Sequence, residues 1–365
     1  MQVMFVDDES RVLSGIERAL MMQDSEWECR FANSGQEALA MLEEQPADVV
    51  VSDMRMPFMD GAELLTQVRN RWPGTIRIIL SGYSEPDATL RMLDVAHRFV
   101  SKPCDSTVLL DMVGSALALR DMFQDPTVVE IVGRTSRLPA APKVFSEICS
   151  LIATPGSDTR HIAELLGRDP ALSAKIMQLA NSAYFARGGH INDIGNAITH
   201  LGLDQVKLLV LASQVFAGAK TDPYVDRLQQ RALLASTLAA RISGHQGVEA
   251  TAALLANIAQ LIPELREPDG EAATTRSDMP THAAVGAYLL ALWGLPMDIV
   301  EAVACHIQPS RSTEKVFGAI GTVHVAVTLA NNGVLDLDYL EQTGVLNKLP
   351  QWQAMLAHTQ ETLND

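Results

Sequence analysis

Five short apolar runs, separated by amphipathic stretches and followed by polar residues, fill the first third of the chain. Val3–Val6 predicts a strand, and Glu9–Met22 a helix with Val12, Leu13, Ile16 and Leu20 at helical spacing. Cys29–Ala32 predicts a second strand, and Gly35–Glu44 a helix with Ala38, Leu39 and Leu42 on one side. Val49–Ser52 predicts a buried strand that runs into Asp53. Helix Ala62–Arg71, strand Ile76–Ser81, helix Asp87–Ala96, short strand Arg98–Val100 and long helix Val108–Phe123 complete the series. Apolar strands alternating with helices predict a parallel sheet covered on both faces. Ligands of such folds bind outside the carboxyl ends of the strands. Asp7, Asp8, Asp53, Ser81 and Lys102 all fall at those ends.

After Gln124-Asp125-Pro126 the pattern changes to helix after helix, punctuated by Asp169-Pro170, Gly188-Gly189 and Gly294-Leu295-Pro296. The polar stretch Glu264–Pro280 predicts an exposed loop, and Asp336–Asp365 an amphipathic, helical tail. The expected division is a first domain over 1–122, a helical linker over 123–135, an all-α domain over 136–332 and a tail over 333–365. Helix Val108–Phe123 is expected to run on toward Val132 and to connect the domains.

The charge narrows the partners. A net charge of −16 and a pI near 4.9 oppose binding to nucleic acid or to an anionic membrane, since both require a basic surface. No apolar stretch is long enough to span a bilayer, and the N-terminus lacks the basic start and apolar run of a signal peptide. Cys29, Cys104, Cys149 and Cys305 form no C-x-x-C pair, which fits thiols in a reducing compartment. A cytoplasmic, soluble protein is expected.

The residues at the strand ends form a recognisable set. Asp7-Asp8 follows the first strand, and Asp53 leads into Met54-Arg55-Met56-Pro57 and Asp60-Gly61. Ser81-Gly82-Tyr83 closes the fourth strand and Lys102-Pro103 the fifth. In this order the set closely resembles the response-regulator receiver domain, over roughly residues 1–122. The resemblance implies a flavodoxin-like, doubly wound α/β fold. It implies Mg²⁺ held by Asp8, Asp53 and the backbone carbonyl of Arg55, with Asp7 acting through water. It makes Asp53 the phosphoacceptor toward a histidine kinase or phosphotransfer protein, with Lys102 as a positive partner. Ser81 and Phe99 become the switch residues; Phe99 stands where the family more often has Tyr. Arg55 and Tyr83 occupy positions that tune hydrolysis of the acyl phosphate. Such receivers often dimerise through their fourth and fifth helices, so a homodimer is expected.

The helical part carries its own motifs: Leu138-Pro139-Ala140-Ala141-Pro142, Asp169-Pro170-Ala171-Leu172, Leu179-Ala180-Asn181-Ser182-Ala183 and Leu201-Gly202. Asp169-Pro170 fits an N-cap with proline at the first helical position. Asn181-Ser182 fits a helix closed by side-chain hydrogen bonds. Together these resemble the HDOD domain, an all-helical relative of the HD phosphohydrolases, over roughly residues 128–332. Leu254–Leu261 falls where the hydrolases have Leu-Leu-His-Asp-Ile-Gly-Lys-Leu, so their His-Asp dyad is Ala256-Asn257 here. The upstream histidine position falls near Leu234 or Ala235. His282 and His306 remain, Ile307 follows His306, and the last acidic ligand falls at Val327. Two neutral imidazoles without a carboxylate do not make a hydrolytic di-metal centre.

The expectation is therefore a signalling adaptor: Asp53 is phosphorylated, and a non-catalytic helical domain changes its contacts with a downstream partner. By analogy that partner is an enzyme of cyclic-dinucleotide signalling or another kinase. The competing reading is a phosphorylation-gated cyclic-di-GMP phosphodiesterase, disfavoured by the lost ligands. A transcription factor is opposed by the acidic balance and the lack of a helix-turn-helix pattern.

Overall fold

The computed structural model describes residues 1–22, 27–81, 95–123, 125–135, 164–181, 191–202, 206, 222–245, 247–266, 281–312 and 316–364. Gly82-Tyr83, nearly all of helix Asp87–Ala96, the Leu138–Pro142 motif, Ser182-Ala183 and most of the Glu264–Pro280 loop lie outside the described residues. The chain divides into two compact units. One is built on Met1–Arg137, and the other on Leu138–Ala180, Gly189–Ala291 and Leu295–Asp365.

In the first unit, strands β1 (Gln2–Val6), β2 (Glu28–Ala32), β3 (Val49–Asp53), β4 (Ile76–Ser81) and β5 (Arg98–Ser101) form one parallel sheet in the order β2-β1-β3-β4-β5. Met4, Phe5, Val50, Val51, Ile78 and Ile79 are all buried, as expected of strands covered on both faces. Around the sheet lie helices α1 (Ser10–Met22), α2 (Gly35–Glu44), α3 (Gly61–Arg71) and α4 (Ser106–Met122). Asp60 accepts from the Glu63 amide at 2.8 Å and caps α3, an arrangement generally worth ~1 kcal/mol.

The long connecting helix does not run on. It ends at Phe123, whose amide still donates to Leu119, and a separate helix α5 spans Pro126–Arg134. Pro126 has no amide hydrogen and disfavours a helical Asp125, so the chain must turn there. Asp125 then caps the new helix through the Thr127 amide at 2.8 Å.

Helix α5 folds back onto the sheet of the first unit. It buries Val128, Val132 and Gly133. Opposite lies Arg77 of β4, only 1% exposed. Its guanidinium donates to the carbonyls of Val95 (2.7 Å), Thr75 (3.2 Å) and Gly133 (3.1 Å), and lies 2.8 Å from His97 Nε2. Hydrogen bonds from a charged donor are worth ~1.5–3 kcal/mol each, enough to keep this cation inside. Arg120 of α4 grips the same end of the sheet, through the Gly74 carbonyl (3.1 Å) and the Asp48 carboxylate (3.1 Å).

The described secondary structure of the second unit is entirely helical: α6 (Pro170–Ala180), α7 (Ile194–Leu201), α8 (Pro223–Ser243), α9 (Val248–Leu255), α10 (His282–Leu292), α11 (Met297–Cys305), α12 (Ala319–Ala330), α13 (Leu337–Gln342) and α14 (Leu349–Asn364), with short 3₁₀ turns between some of them. No described helix is long and apolar enough to cross a membrane. Asp169 caps α6 through the Leu172 amide at 3.0 Å, and its other oxygen accepts from Gln229 of α8 at 2.6 Å. The tail is integral to this unit. Tyr339, Leu340, Val345 and Trp352 share a buried cluster with Val325 of α12.

His324 of α12 ties that tail down. Its Nδ1 donates to the His306 carbonyl at 2.7 Å and its Nε2 accepts from the Asp336 amide at 3.0 Å, which requires the neutral ring. Burial holds its pKa below the ordinary histidine value, outweighing the opposite effects of the His306 carbonyl and Asp336. A depressed pKa means that this stabilisation is present above the unfolded-state value and lost as pH falls through the folded one. Lowering pH from about 7 to about 5 is expected to lower the hydrogen-exchange protection factors in 337–364, after correction for the slower intrinsic exchange, with a much flatter profile in His324→Gln.

Candidate functional site

The carboxyl ends of β1, β3 and β5 bring the acidic and basic residues together. Asp53 is the last residue of β3, Asp7 follows β1 directly, and Lys102 follows β5. The Lys102 ammonium lies 2.6 Å from Asp53 Oδ1 and 2.7 Å from Asp7 Oδ2. The Arg55 amide donates to Asp53 Oδ2 at 3.1 Å, and the Glu9 amide to Asp7 Oδ1 at 2.9 Å. Asp8 is exposed at the rim, and one oxygen from each of Asp7, Asp8 and Asp53 falls within 4.8 Å of the others.

The electrostatics follow from burial. Asp53 is 7% exposed and Asp7 only 1%. Loss of solvent raises the Asp53 pKa, and Asp7 adds to that; Lys102 and the Arg55 amide pull it back without cancelling it. For Lys102 burial acts to lower the pKa, but the contacts with Asp53 and Asp7 win and hold the amine above its ordinary value. The 2.6 Å contact to the Lys102 ammonium favours the ionised Asp53 carboxylate. One cation facing three carboxylates still leaves an excess of negative charge. An all-oxygen set of this kind fits a hard divalent cation such as Mg²⁺.

Ser81 ends β4, pairs in register with Ser101, and its carbonyl accepts from the Lys102 amide at 2.7 Å. Phe99 is 5% exposed, within the core. Gly61 is the contact that sequence reading undervalued: its amide donates to the Met54 carbonyl at 3.0 Å. A Cβ at Gly61 would lie 2.1 Å from the Asp53 carbonyl oxygen, so only glycine fits behind Asp53. The Lys102–Pro103 peptide is cis.

The second candidate site lies in the helical unit. Ala256, Asn257, His282, His306 and Val327 are all buried, whereas Ile307 is 40% exposed. The rings of His282 and His306 lie 5.5 Å apart between centroids. His306 Nδ1 donates to the Val303 carbonyl at 2.7 Å. Gln260, which stands at the lysine position of the hydrolase motif, donates to His282 Nδ1 at 3.3 Å and accepts from the Tyr224 hydroxyl at 3.1 Å. Among the described residues, the grouping of three or more potential metal ligands is Asp7, Asp8 and Asp53.

Comparison with known proteins agrees with this geometry. Residues 3–114 match the response regulator receiver domain, and residues 138–309 match the HDOD domain. The chain is a two-component response regulator carrying an HDOD domain. The response regulator is 30% identical over 192 residues to the hydrogenase transcriptional regulatory protein HoxA of Cupriavidus necator, covering 49% of this chain and 39% of that one. It is 34% identical over 148 residues to the DNA-binding transcriptional regulator NtrC of Salmonella typhimurium, covering 39% and 31%. It thus spans well under half the length of these curated relatives. A crystal structure of the MmoQ response regulator from Methylococcus capsulatus superposes with a TM-score of 0.48 at 23% identity, over 60% of this chain and 98% of that one. The HDOD domain of this response regulator is a degenerate HD-like domain, as Ala256 and Asn257 already indicate.

Because Gly61 packs on the Asp53 backbone, Gly61→Ala is expected to displace Asp53 from Lys102. The variant is expected to label with acetyl phosphate about 100-fold more slowly while keeping its far-ultraviolet circular dichroism.

Proposed function

We propose that Asp53 accepts a phosphoryl group from a phosphohistidine on a partner kinase or phosphotransfer protein, and that the HDOD domain responds through its contacts with a downstream signalling protein. The observation that carries this reading is the Asp53 carboxylate held 2.6 Å from Lys102, with Asp7 and Asp8 converging beside it. An Asp53 oxygen attacks phosphorus, the P–O bond forms, the P–N bond to the donor imidazole breaks, and the imidazole leaves neutral once protonated. A carboxylate is competent for this, and the step is mostly a matter of positioning and charge neutralisation. Asp7, Asp8, Asp53 and the Arg55 carbonyl would hold Mg²⁺, which when bound supplies positive charge against the phosphoryl oxygens.

The chain's own residues do the rest. The Arg55 amide fixes the orientation of the Asp53 carboxylate. Lys102 holds Asp53 and Asp7 together, and its ammonium is placed to follow charge onto the new phosphoryl group. That group adds about −1.5 to −2 charges and new acceptor oxygens. The Ser81 hydroxyl at the end of β4 is the nearby neutral donor for one of them. Phe99, already inside the core, reports by packing, since it has no hydroxyl to bond with.

The HDOD domain acts by binding. Buried Ala256 and Asn257 replace the hydrolase dyad, and Gln260 bonds to His282 where a hydrolase has a lysine. A fold retained without its catalytic ligands keeps helical surfaces and a cleft for partners. The partner class proposed is a signalling protein, such as a cyclic-dinucleotide enzyme or a kinase, with a second copy of the chain as homodimer partner. The net charge of −16 disfavours the DNA binding named for NtrC.

Two measurements test this. Acetyl phosphate or beryllofluoride with Mg²⁺ is expected to load the wild type to about one equivalent and Asp53→Asn to none; equal loading of both overturns the acceptor assignment. Elemental analysis of chain purified without chelator is expected to find well below about 0.1 transition-metal ion per chain, with no hydrolysis of cyclic-di-GMP. Stoichiometric metal together with hydrolysis overturns the binding role in favour of the phosphodiesterase.

A further inference from the structure

We infer that Arg77 and Gly133 latch the connecting helix α5 onto the receiver sheet, and that phosphoryl uptake at Asp53 loosens the latch. The trigger rests on the phosphoacceptor reading; the docking contact does not.

The contact is a built one. Gly133 sits so close to the loop before β4 that a Cβ there would lie 1.8 Å from the Pro73 carbonyl oxygen and 2.4 Å from the Pro73 carbonyl carbon. Its own carbonyl accepts from Arg77 Nη2 at 3.1 Å. Val128 and Val132, one helical turn apart, bury the same face. A charged guanidinium that is 1% exposed must have its donors satisfied, and one of its partners is a carbonyl of α5. Lifting α5 would remove the Gly133 carbonyl from the guanidinium and uncover the buried charge, so the guanidinium and the helix hold each other in place.

The latch lies on the strip of sheet that carries the switch residues. Side chains two apart share one face of a strand, so Arg77, Ile79 and Ser81 project together from β4. On β5 the corresponding strip contains Phe99, which pairs with Ile79, preceded by His97. The His97 amide donates to the Arg77 carbonyl at 2.8 Å, and its ring accepts from the Arg77 amide at 3.2 Å. Ser81 is thus one end of this strip and Arg77 the other, four residues or roughly 13 Å apart along a stiff strand. Drawing Ser81 toward a phosphoryl group shifts β4 against β5, and the Arg77–His97–Gly133 contact is where that shift meets α5.

Gly133→Ala tests the latch cleanly. Alanine is a better helix former than glycine, so the substitution favours α5 while forbidding its approach to Pro73. Hydrogen exchange of the 126–134 amides is followed in the full chain with and without acetyl phosphate and Mg²⁺, and intact mass on the same samples reports labelling. Unlabelled wild type is expected to exchange at least about tenfold more slowly than Gly133→Ala in this segment, and phosphorylated wild type to approach the variant. Gly133→Ala is expected to label at the wild-type rate, showing that its receiver is folded. Equal exchange in unlabelled wild type and variant overturns the latch. Labelled wild type with undiminished protection overturns the trigger and leaves the phosphoacceptor standing. A wild type that takes no label overturns the phosphoacceptor reading and the trigger together.

Discussion

The Lys102 ammonium, held between the Asp53 and Asp7 carboxylates at 2.6 and 2.7 Å, is the contact on which the rest of the receiver depends. Lys102 leaves β5 at the edge of the sheet and must reach across β4 to meet β3, a span of roughly 10 Å, and Asp7 at the end of β1 beyond it. The strand order makes that reach possible, and the Lys102 amide bonded to the Ser81 carbonyl sets its starting point. Two carboxylates within about 5 Å repel by on the order of 3–4 kcal/mol at an effective dielectric near 20. The lysine, at 2.6 and 2.7 Å, outweighs that repulsion, and the net negative charge left by three carboxylates and one ammonium suits the oxygen-only set to a divalent cation.

The helical unit shows the opposite electrostatics. Where a hydrolase concentrates charge, this chain places Ala256, Asn257, Gln260, His282 and His306, and hydrogen bonds run from Tyr224 through Gln260 to His282. The hydrogen bonds of His324 likewise specify a neutral ring, used to fasten the tail helices.

The strands were legible because both faces of each are buried, so the apolar runs are nearly continuous; Gly35–Glu44 and Ile76–Ser81 match their predicted bounds residue for residue. The end of the long helix was misread, although Asp125-Pro126 was in plain view as a boundary. Read as a composition change, it marks a domain limit; read as backbone chemistry, it caps a new helix and turns the chain. Arg77 was invisible for another reason. A lone arginine in an apolar strand suggests an exposed position, and only the carbonyls of Thr75, Val95 and Gly133, far apart in sequence, explain its burial. His324 was hidden in the same way, because its partners His306 and Asp336 come from other turns of the chain.

By itself the sequence determined the parallel sheet, the acidic and basic residues at its strand ends, and the loss of the hydrolase dyad at Ala256-Asn257. These depend on local periodicity and residue chemistry, which a chain carries wherever it is placed. Only the tertiary structure decided that Gly61 abuts the Asp53 carbonyl, that α5 folds back onto Arg77, and that the tail packs on Val325 as part of the helical unit. Those features depend on which distant backbone atoms meet, and whether a Cβ or a buried charge fits between them is set by distances that no residue pattern encodes.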